Sequence, residues 1–341
     1  MTSELEQRPN KRARSSSAPA SAKSSLQHDE RFWFNDGNII LACGDIGFRV
    51  HAGVLSLNCR IFRDMLASGT PSAGEVHEDV DLVRLSDEPA DVRLFLTPMY
   101  FADEGPMRTQ YRVAQLKTLL DMARKYMADR LQKTIMQHLR ELFPSEHERA
   151  RAPYSPLRPS RTYGKEGFDP WVAVEISLEH DVPIILPMAL YYSALRMDLE
   201  GILDLNISAA ALRKILSFRE SFITQVNNNS TTGDGYFDVY SCENHQSSCD
   251  GVSLPIQEVA IRYYRGFEDD VFTETYAEAN PDGCSDALCP HCLKKFTDMQ
   301  KDFSEYLWEV LPYMCKGSPT TWPAVRNMQT KADGASEPEL P

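Results

Sequence analysis

The first part of the chain alternates between the apolar spacing of strands and that of helices. Strands are predicted at 38–42 and 48–51, joined by the hairpin sequence CGDIG, and a third strand is predicted at 80–85. Residues 55–68 predict a helix because apolar side chains recur every three or four positions. These apolar positions are Leu55, Phe62, Met65 and Leu66. The pattern indicates a small sheet covered by helices.

Residues 91–144 predict further helices of the same domain. The first contains Pro98, and because proline cannot donate to the helical ladder, we expect a kink or an end near Thr97. Apolar residues then repeat at helical spacing, change phase once and stop before Pro144, which predicts two helices. The members of this repeat are Leu116, Leu119, Leu120, Ala123, Met127, Ile135, Met136, Leu139 and Leu142.

The second half of the chain is predicted to be mainly helical. Helical spacing and length are found at 186–195, 208–226, 255–275 and 286–312. Residues 171–182 also fit a helix, although their apolar positions alternate as well as those of a strand would. The asparagine-rich stretch NNNSTTGDG is predicted to be a surface loop.

Composition divides the chain into five parts. Residues 1–31 and 317–341 have too little apolar periodicity to offset the entropy of ordering and are predicted to be disordered tails. Residues 145–168 are rich in proline and basic side chains and predict a linker. This leaves an N-terminal domain at 32–144 and a C-terminal region with cysteine pairs at 169–316. The expected fold class is α+β, followed by a mainly α-helical region.

The charge and hydropathy of the chain argue against a main surface that binds nucleic acid, although a local basic patch stays open, and against a membrane span. A formal net charge of −13 disfavours direct binding to nucleic acid, which requires clustered lysine and arginine. No apolar run reaches the length of about 20 residues that a membrane span needs, and no signal peptide is expected at the N-terminus. We therefore expect an intracellular protein of the nucleus or cytoplasm. The sequence KRAR at 11–14 fits a nuclear import signal or an ordinary basic cluster.

Four late cysteines are the clearest candidates for metal chemistry. Cys289 and Cys292 form a C-x-x-C motif at the start of a predicted helix, and Cys242 and Cys249 are separated by six residues. Four thiolates can hold a structural zinc ion, but the first pair lacks the usual two-to-four-residue spacing. His245, Cys284 and His291 are available as substitutes. Structural zinc and ordinary buried or free thiols both stay open.

Several phrases of the N-terminal domain, in this order, resemble the BTB/POZ domain. They are FRVHAGVLSLNCRIFRDML, VRLSDEPADVRLFL and LLDMARKYMADRLQ, and together they span about 32–144. The sequence is similar to the many BTB/POZ proteins of filamentous and mushroom-forming fungi. The resemblance implies a non-enzymatic protein–protein interaction protein that associates with itself or recruits a partner, with no cofactor other than the zinc considered above.

The resemblance also implies two alternative functions. Some BTB/POZ proteins are substrate adaptors of cullin-type ubiquitin ligases and use a hydrophobic-x-Glu pattern, which Val76 and Glu78 match in a predicted loop. An ordinary solvated loop explains the same tripeptide. Others regulate transcription, and since no C-x₂₋₄-C-x₁₂-H-x₃₋₅-H unit is found in the sequence, this chain would do so through partners.

His51, between a predicted strand and a predicted helix, is the most conspicuous histidine of the domain. In the family that the sequence resembles, this position is structural, and its apolar neighbours Val50 and Val54 favour the same interpretation. Asp36 and Asp64 occupy positions where such domains often carry acidic residues. Capping or solvation explains these two carboxylates as well as partner contact does. No apolar helix precedes Phe32, which puts a strand-exchanged dimer in doubt.

Overall fold

The fold was determined as a computed structural model. It describes residues 26–68, 75–106, 111–151, 168–195, 198–231, 236–238, 242, 249, 253–255, 272, 288–317 and 319–335. The chain divides into two compact units. The first comprises Met1–His51 and Pro71–Pro89, and the second comprises Ala52–Thr70 and Ala90–Pro341.

The first unit is built on a mixed five-stranded sheet with the order β1-β3-β2-β5-β4. Its strands are β1 (Gln27–Trp33), β2 (Ile39–Cys43), β3 (Ile46–Val50), β4 (Val76–His77) and β5 (Val80–Leu85). β1 runs parallel to β3 and β2 runs parallel to β5, whereas β2–β3 and β4–β5 are antiparallel hairpins. The turn between β2 and β3 contains Gly44 at φ +55°, a conformation that glycine adopts without steric cost.

Both faces of the sheet are apolar. On one face, buried Ile40, Ala42 and Leu82 form a cluster, and partly buried Leu26, Trp33 and Val80 pack against it. Gly47 lies directly under Leu26, since a Cβ at Gly47 would be 2.4 Å from Leu26 Cδ2. On the other face, side chains with at most 1% exposure form a continuous buried row: Ile39, Leu41, Phe48 and Val50.

The observed strands correct one prediction from the sequence and match another. β1 begins at Gln27, inside the tail that was predicted to end at residue 31. Its sequence is mostly polar, and only Asp29 and Phe32 are buried, so apolar alternation gives no signal there. Asp29 is stabilised because its Oδ1 accepts the backbone N–H groups of Arg31 and Phe32 at 3.0 and 2.9 Å. β5 coincides with the predicted strand at 80–85.

The second unit is mainly helical. Its helices include α1 (Ala52–Asn58), α2 (Arg60–Ala67), α3 (Pro89–Tyr100, from Ala90 onward), α4 (Val113–Lys125), α5 (Asp129–Leu142), α6 (His147–Arg151), α7 (Pro170–Glu179), α8 (Leu186–Leu195), α9 (Leu199–Leu203), α10 (Ala209–Thr231), α11 (Pro290–Met314) and α12 (Trp322–Ala335). Strands β6 (Tyr236–Asp238) and β7 (Ser253–Pro255) pair antiparallel in the same unit. None of the described helices is both long and apolar enough to cross a membrane.

The helix predicted over 55–68 is in fact two helices, because Cys59 between them has an extended backbone. A kink or an end was predicted near Thr97, and the end is wrong, since α3 continues through Pro98 to Tyr100. A proline costs the helix one ladder hydrogen bond, and burial of neighbouring Phe95 and Leu96 holds the helix together. α4 and α5 confirm the predicted helix pair. Met127, which was predicted as a member of the apolar repeat, is not on the buried face of these helices. It has φ +52° in the turn between them and is 39% exposed.

The C-terminal region also departs from the sequence predictions. Of residues 171–182, which fitted helix or strand, 171–179 belong to α7, and nine of the ten residues of α8 are buried. α12 lies in the predicted tail 317–341, where Trp322 and Gln329 are 5% and 3% exposed. α10 extends to Thr231 and includes the beginning of the predicted asparagine-rich loop.

Of two further predictions, one is contradicted by the structure and the other falls mostly outside the described residues. α6 lies in the predicted linker 145–168. The helix predicted at 255–275 lies outside the described residues except at Pro255 and Phe272. The predicted class, an α+β N-terminal domain followed by a mainly helical region, is confirmed.

Candidate functional site

The β4–β5 hairpin carries Val76 and Glu78, the residues predicted to contact a partner. β4 pairs with β5 through Val76 opposite Asp81 and His77 opposite Val80, so the predicted loop contains an edge strand. The two residues of the turn have positive φ, 50° at Glu78 and 60° at Asp79, as in a type I′ turn. The position of Val76 on an edge strand leaves its side chain 58% exposed.

Glu78 differs from Val76 because basic side chains surround its carboxylate. Oε1 lies 3.6 Å from His28 Nε2 and 4.0 Å from His77 Nε2, and Oε2 lies 4.0 Å from Arg49 Nη1. Arg49 is anchored in turn, since its Nε donates to the Gly37 carbonyl at 2.9 Å. Glu78 therefore has a role within the sheet, and the hairpin offers a partner an exposed valine beside an engaged carboxylate.

His51 ends β3 and is partly buried. Its side chain is 29% exposed, its Nε2 lies 3.3 Å from Asp36 Oδ1, and its ring centroid lies 5.3 Å from that of Phe34. Asp36 is 85% exposed, and Asp64 is an exposed residue whose Oδ1 lies 3.4 Å from Arg63 Nε. These contacts fit the structural role predicted for His51 and give both carboxylates a basic neighbour in the same chain.

The helical unit contains an apolar surface that sequence reasoning missed. Leu57 on α1 is 85% exposed, Ile61 on α2 is 41% exposed, and Met127 in the α4–α5 turn is 39% exposed. The backbone N–H of Arg60 donates to the Met127 carbonyl at 3.2 Å, which places this turn beside the start of α2. We call Leu57, Ile61 and Met127 the α1–α2 patch.

A sequence signal for the α1–α2 patch exists in retrospect. Leu57 and Ile61 are four positions apart and fall outside the repeat that contains Leu55 and Phe62. Phe62 is 2% exposed and stacks on Tyr126 with ring centroids 4.8 Å apart, so the neighbouring Ile61 must point elsewhere. In the single helix that the sequence predicts over 55–68, an apolar i, i+4 pair off the buried face indicates such a surface.

The structure brings together the four cysteines that the sequence offered as metal ligands. Cys242, Cys249, Cys289 and Cys292 are all buried, and their Sγ atoms all lie within 4.8 Å of one another. We call them the cysteine cluster. Cys242 Sγ lies 3.6 Å from Cys289 Sγ and 3.7 Å from Cys292 Sγ. The substitutes His245 and Cys284 lie outside the described residues.

Backbone N–H groups point at the sulfur atoms of the cysteine cluster. The Cys289 N–H donates to Cys249 Sγ at 3.0 Å. The backbone N–H of Cys292 donates to the Cys289 sulfur and, with the neighbouring thiols, lowers the pKa of Cys289 to about 6. Burial raises the pKa of Cys292 to about 12. Backbone donation therefore favours the thiolate form of Cys289, whereas burial disfavours that of Cys292.

Comparison with known families identifies the N-terminal domain. Residues 34–142 match the family model of the BTB/POZ domain. The chain contains a BTB/POZ domain. A search of curated proteins found no match to the chain. BTB/POZ domains are protein-interaction modules and generally not enzymes, so a role in protein–protein interaction is the function that this membership supports.

Helices of the BTB/POZ domain also contact the C-terminal region. Arg124 Nη2 on α4 donates to the His180 carbonyl at 2.5 Å, and Lys117 Nζ lies 2.7 Å from Glu179 Oε2. At the end of α5, Phe143 stacks on Phe168 with centroids 5.6 Å apart. The BTB/POZ helices and the following region therefore share side-chain contacts across the predicted linker.

A cleft with a volume of about 370 Å³ lies beside the contact between Arg124 and His180. Its lining residues are Arg124, Met127, Asp129, Gln132, Met136, His180, Asp181, Val182, Gln329, Ala332 and Asp333. Several of its charged groups are engaged in holding the helices: Asp333 Oδ2 accepts from Arg140 Nη2 at 2.6 Å, and His180 Nε2 lies 2.7 Å from Asp121 Oδ1. Burial and the nearby Arg124 lower the pKa of His180. Because these charged groups hold neighbouring helices together, the cleft is better explained by a structural role than by ligand binding.

Proposed function

We propose that the chain is a non-enzymatic protein whose BTB/POZ domain associates with a second copy of itself through the α1–α2 patch. The observation that carries this proposal is the 85% exposure of Leu57, with exposed Ile61 and Met127 on adjoining segments. Exposed apolar side chains that cluster on one surface are typical of protein interfaces, because covering them removes unfavourable contact with water.

The charges around the patch favour a second copy over an unrelated partner. Arg63 and Asp64 are adjacent on α2 and 58% and 65% exposed, and Arg60 lies beside Asp129 with Nη2 2.9 Å from Oδ2. The surface therefore carries both signs of charge. A two-fold contact places the same surface against itself, so each arginine can meet a carboxylate of the other copy. A single-sign surface would repel itself.

The test is the oligomeric state of the purified full chain by size exclusion with light scattering. We expect a dimer for the natural sequence and a monomer for Leu57→Asp, because a buried unpaired carboxylate opposes the contact. Leu203→Asp is the matched control, since Leu203 is an exposed helical leucine at 53% outside the patch. It should stay dimeric. A natural protein that is monomeric at all concentrations, or a dimeric Leu57→Asp, would overturn the proposal.

A second candidate function is that of a substrate adaptor for a cullin-type ubiquitin ligase. It is favoured by the exposed Val76 beside Glu78 on an edge hairpin. If this is correct, an affinity pulldown of the natural chain from its host should recover a cullin, and Val76→Asp should abolish recovery while Leu203→Asp keeps it. A pulldown without cullin excludes this candidate and leaves self-association intact. Transcriptional regulation through partners is a further hypothesis of the same interaction class.

A further inference from the structure

We infer that the cysteine cluster is a structural zinc site, a property separate from the function proposed for the BTB/POZ domain. Two of its sulfurs come from cysteines between β6 and β7, and the other two come from the start of α11. The geometry of these elements, the distances between the sulfurs and the backbone donors around them point to one tetrahedral metal ion.

The strand pair explains the long spacing of the first two cysteines. β6 and β7 pair with Asp238 opposite Ser253, which closes a hairpin around the intervening residues. Cys242 follows β6 by four positions and Cys249 precedes β7 by four positions. Closing the hairpin therefore brings the two cysteines to the same end of it. The six residues between them are no obstacle to shared ligation.

The start of α11 supplies the second pair of sulfurs. Cys289 is the N-cap residue, Pro290 occupies the first helical position, and Cys292 follows in the first turn. Residues three apart lie on the same side of a helix, so both thiols face one point. Proline fixes its own backbone conformation before folding, and this lowers the entropy lost when the pair is oriented.

The sulfur–sulfur distances match a tetrahedron around zinc. A Zn–S bond of about 2.3 Å gives tetrahedral edges of about 3.8 Å. The distances from Cys242 Sγ to Cys289 Sγ and Cys292 Sγ are 3.6 and 3.7 Å, and all four sulfurs lie within 4.8 Å of one another. A disulfide would instead pair each sulfur with one neighbour at about 2.0 Å. Cys242 has two neighbours at nearly equal distance.

Other buried cysteines of the chain show what an ordinary thiol looks like. Cys315 is 7% exposed, and its thiol donates to the Leu311 carbonyl at 3.4 Å. In the cysteine cluster, by contrast, a backbone N–H donates to Cys249 Sγ. Sulfurs that accept such bonds are typical of metal-bound thiolates, whose negative charge these donors stabilise. Four protein ligands fill a tetrahedral site, so the role is structural and not catalytic.

The test is metal analysis of the full chain purified under reducing conditions without chelator. We expect about one zinc per chain, as for a closed four-ligand site. Cys289→Ser should lose most of this zinc and melt at a lower temperature, because metal binding and folding of this segment are coupled. Cys315→Ser is the matched control: a serine can still donate to the Leu311 carbonyl, and the zinc content should be unchanged.

A second measurement keeps the inference falsifiable if Cys289→Ser does not fold. The natural chain is treated with chelator, which should remove the zinc and lower the melting temperature, and zinc alone should restore both. Reconstitution with cobalt should give the visible absorption of a tetrahedral thiolate complex. A metal-free natural chain that binds neither zinc nor cobalt, or a zinc content unaffected by Cys289→Ser, would overturn the inference.

Discussion

The sheet of the BTB/POZ domain and the cysteine cluster are assembled from the sequence in different ways. The sheet buries apolar residues that alternate along short strands, so neighbours in sequence decide which side chains form its core. The cysteine cluster gathers sulfurs that are 47 and 50 residues apart in sequence. The difference shows why one region is visible in a local sequence pattern and the other only in the type of its residues.

The comparison predicts that the largest single effect of a substitution is found in the sheet. Phe48 is 0% exposed, with its ring centroid 6.4 Å from that of Phe32. Phe48→Ala should lower the free energy of unfolding by about 3–5 kcal/mol, because it removes a buried aromatic ring and leaves a cavity. Denaturant unfolding of the full chain measures this loss.

Adding chelator to the same unfolding experiment tests whether the sheet and the cysteine cluster contribute independently to stability. The difference between Phe48→Ala and the natural chain should be the same with and without chelator, since sites without shared partners contribute additively. Leu203→Ala is the control, because its side chain is 53% exposed and lies outside the α1–α2 patch, so its effect should stay within about 0.5 kcal/mol. A Phe48→Ala effect that disappears in chelator would show that the two regions are not independent.

The second prediction concerns α12, which the sequence placed in a disordered tail. The Trp322 ring stacks on Trp308 with centroids 4.6 Å apart, and its indole N–H donates to the Trp308 carbonyl at 2.7 Å. Trp322→Phe keeps an aromatic ring but leaves that buried carbonyl without this donor. It should cost about 1–3 kcal/mol, seen as a lower melting temperature. Substitution without any thermal effect would support the tail interpretation.

The sequence was sufficient for elements whose own residues specify them. β5, α4 and α5 follow from alternation or helical spacing within a single segment, and the BTB/POZ resemblance rests on those segments. β1 and α12 could not be predicted in this way. β1 is a polar strand whose position depends on pairing with β3, and α12 is stabilised by partners such as Trp308 and the Ile184 N–H, which donates to Gln329 Oε1 at 3.3 Å.

For the candidate sites, too, the sequence indicated residue types but not the contacts that depend on the tertiary fold. The four cysteines could be named from the sequence because few residue types bind zinc, but their convergence depends on the β6–β7 pairing. Val76 and Glu78 were named from a permissive tripeptide, and the ion contacts of Glu78 with His28 and Arg49 arise from strands far away in sequence. Exposure of Leu57 is a tertiary property that composition cannot reveal.

The third prediction uses pH to compare buried polar groups with the apolar cores. His138 on α5 is 0% exposed, and its Nδ1–H donates to the Pro106 carbonyl, which can only accept. Burial lowers the pKa of His138, against smaller opposing effects of Pro106 and Glu141. The unfolded chain therefore takes up a proton near pH 6.5 that the folded chain does not. Stability should fall as pH drops below this value.

The size and origin of this effect can be checked. One proton gives a slope of at most about 1.4 kcal/mol per pH unit. His138→Asn keeps a donor near the position of Nδ1 and removes the titrating group, so its stability should depend less on pH between about 5 and 7. The pKa of His180 is also lowered, so some slope should persist in the variant. Equal slopes for variant and natural chain would contradict the assignment to His138.

The smallest effect is expected for the ion pair that joins α5 to α12. Arg140 Nη2 lies 2.6 Å from Asp333 Oδ2, and the two side chains are 38% and 48% exposed. The partners are 193 positions apart in sequence. Their pairing adds little stability, because solvent screens the attraction between exposed charges and both side chains lose conformational freedom when they pair. Arg140→Ala and Asp333→Ala should each lower the free energy of unfolding by about 0–1 kcal/mol, and a double-mutant cycle should give a similarly small coupling. Added salt should reduce that coupling further. A coupling of several kcal/mol would mean that charge, and not the ring contact of Trp322 with Trp308, fixes α12 in place.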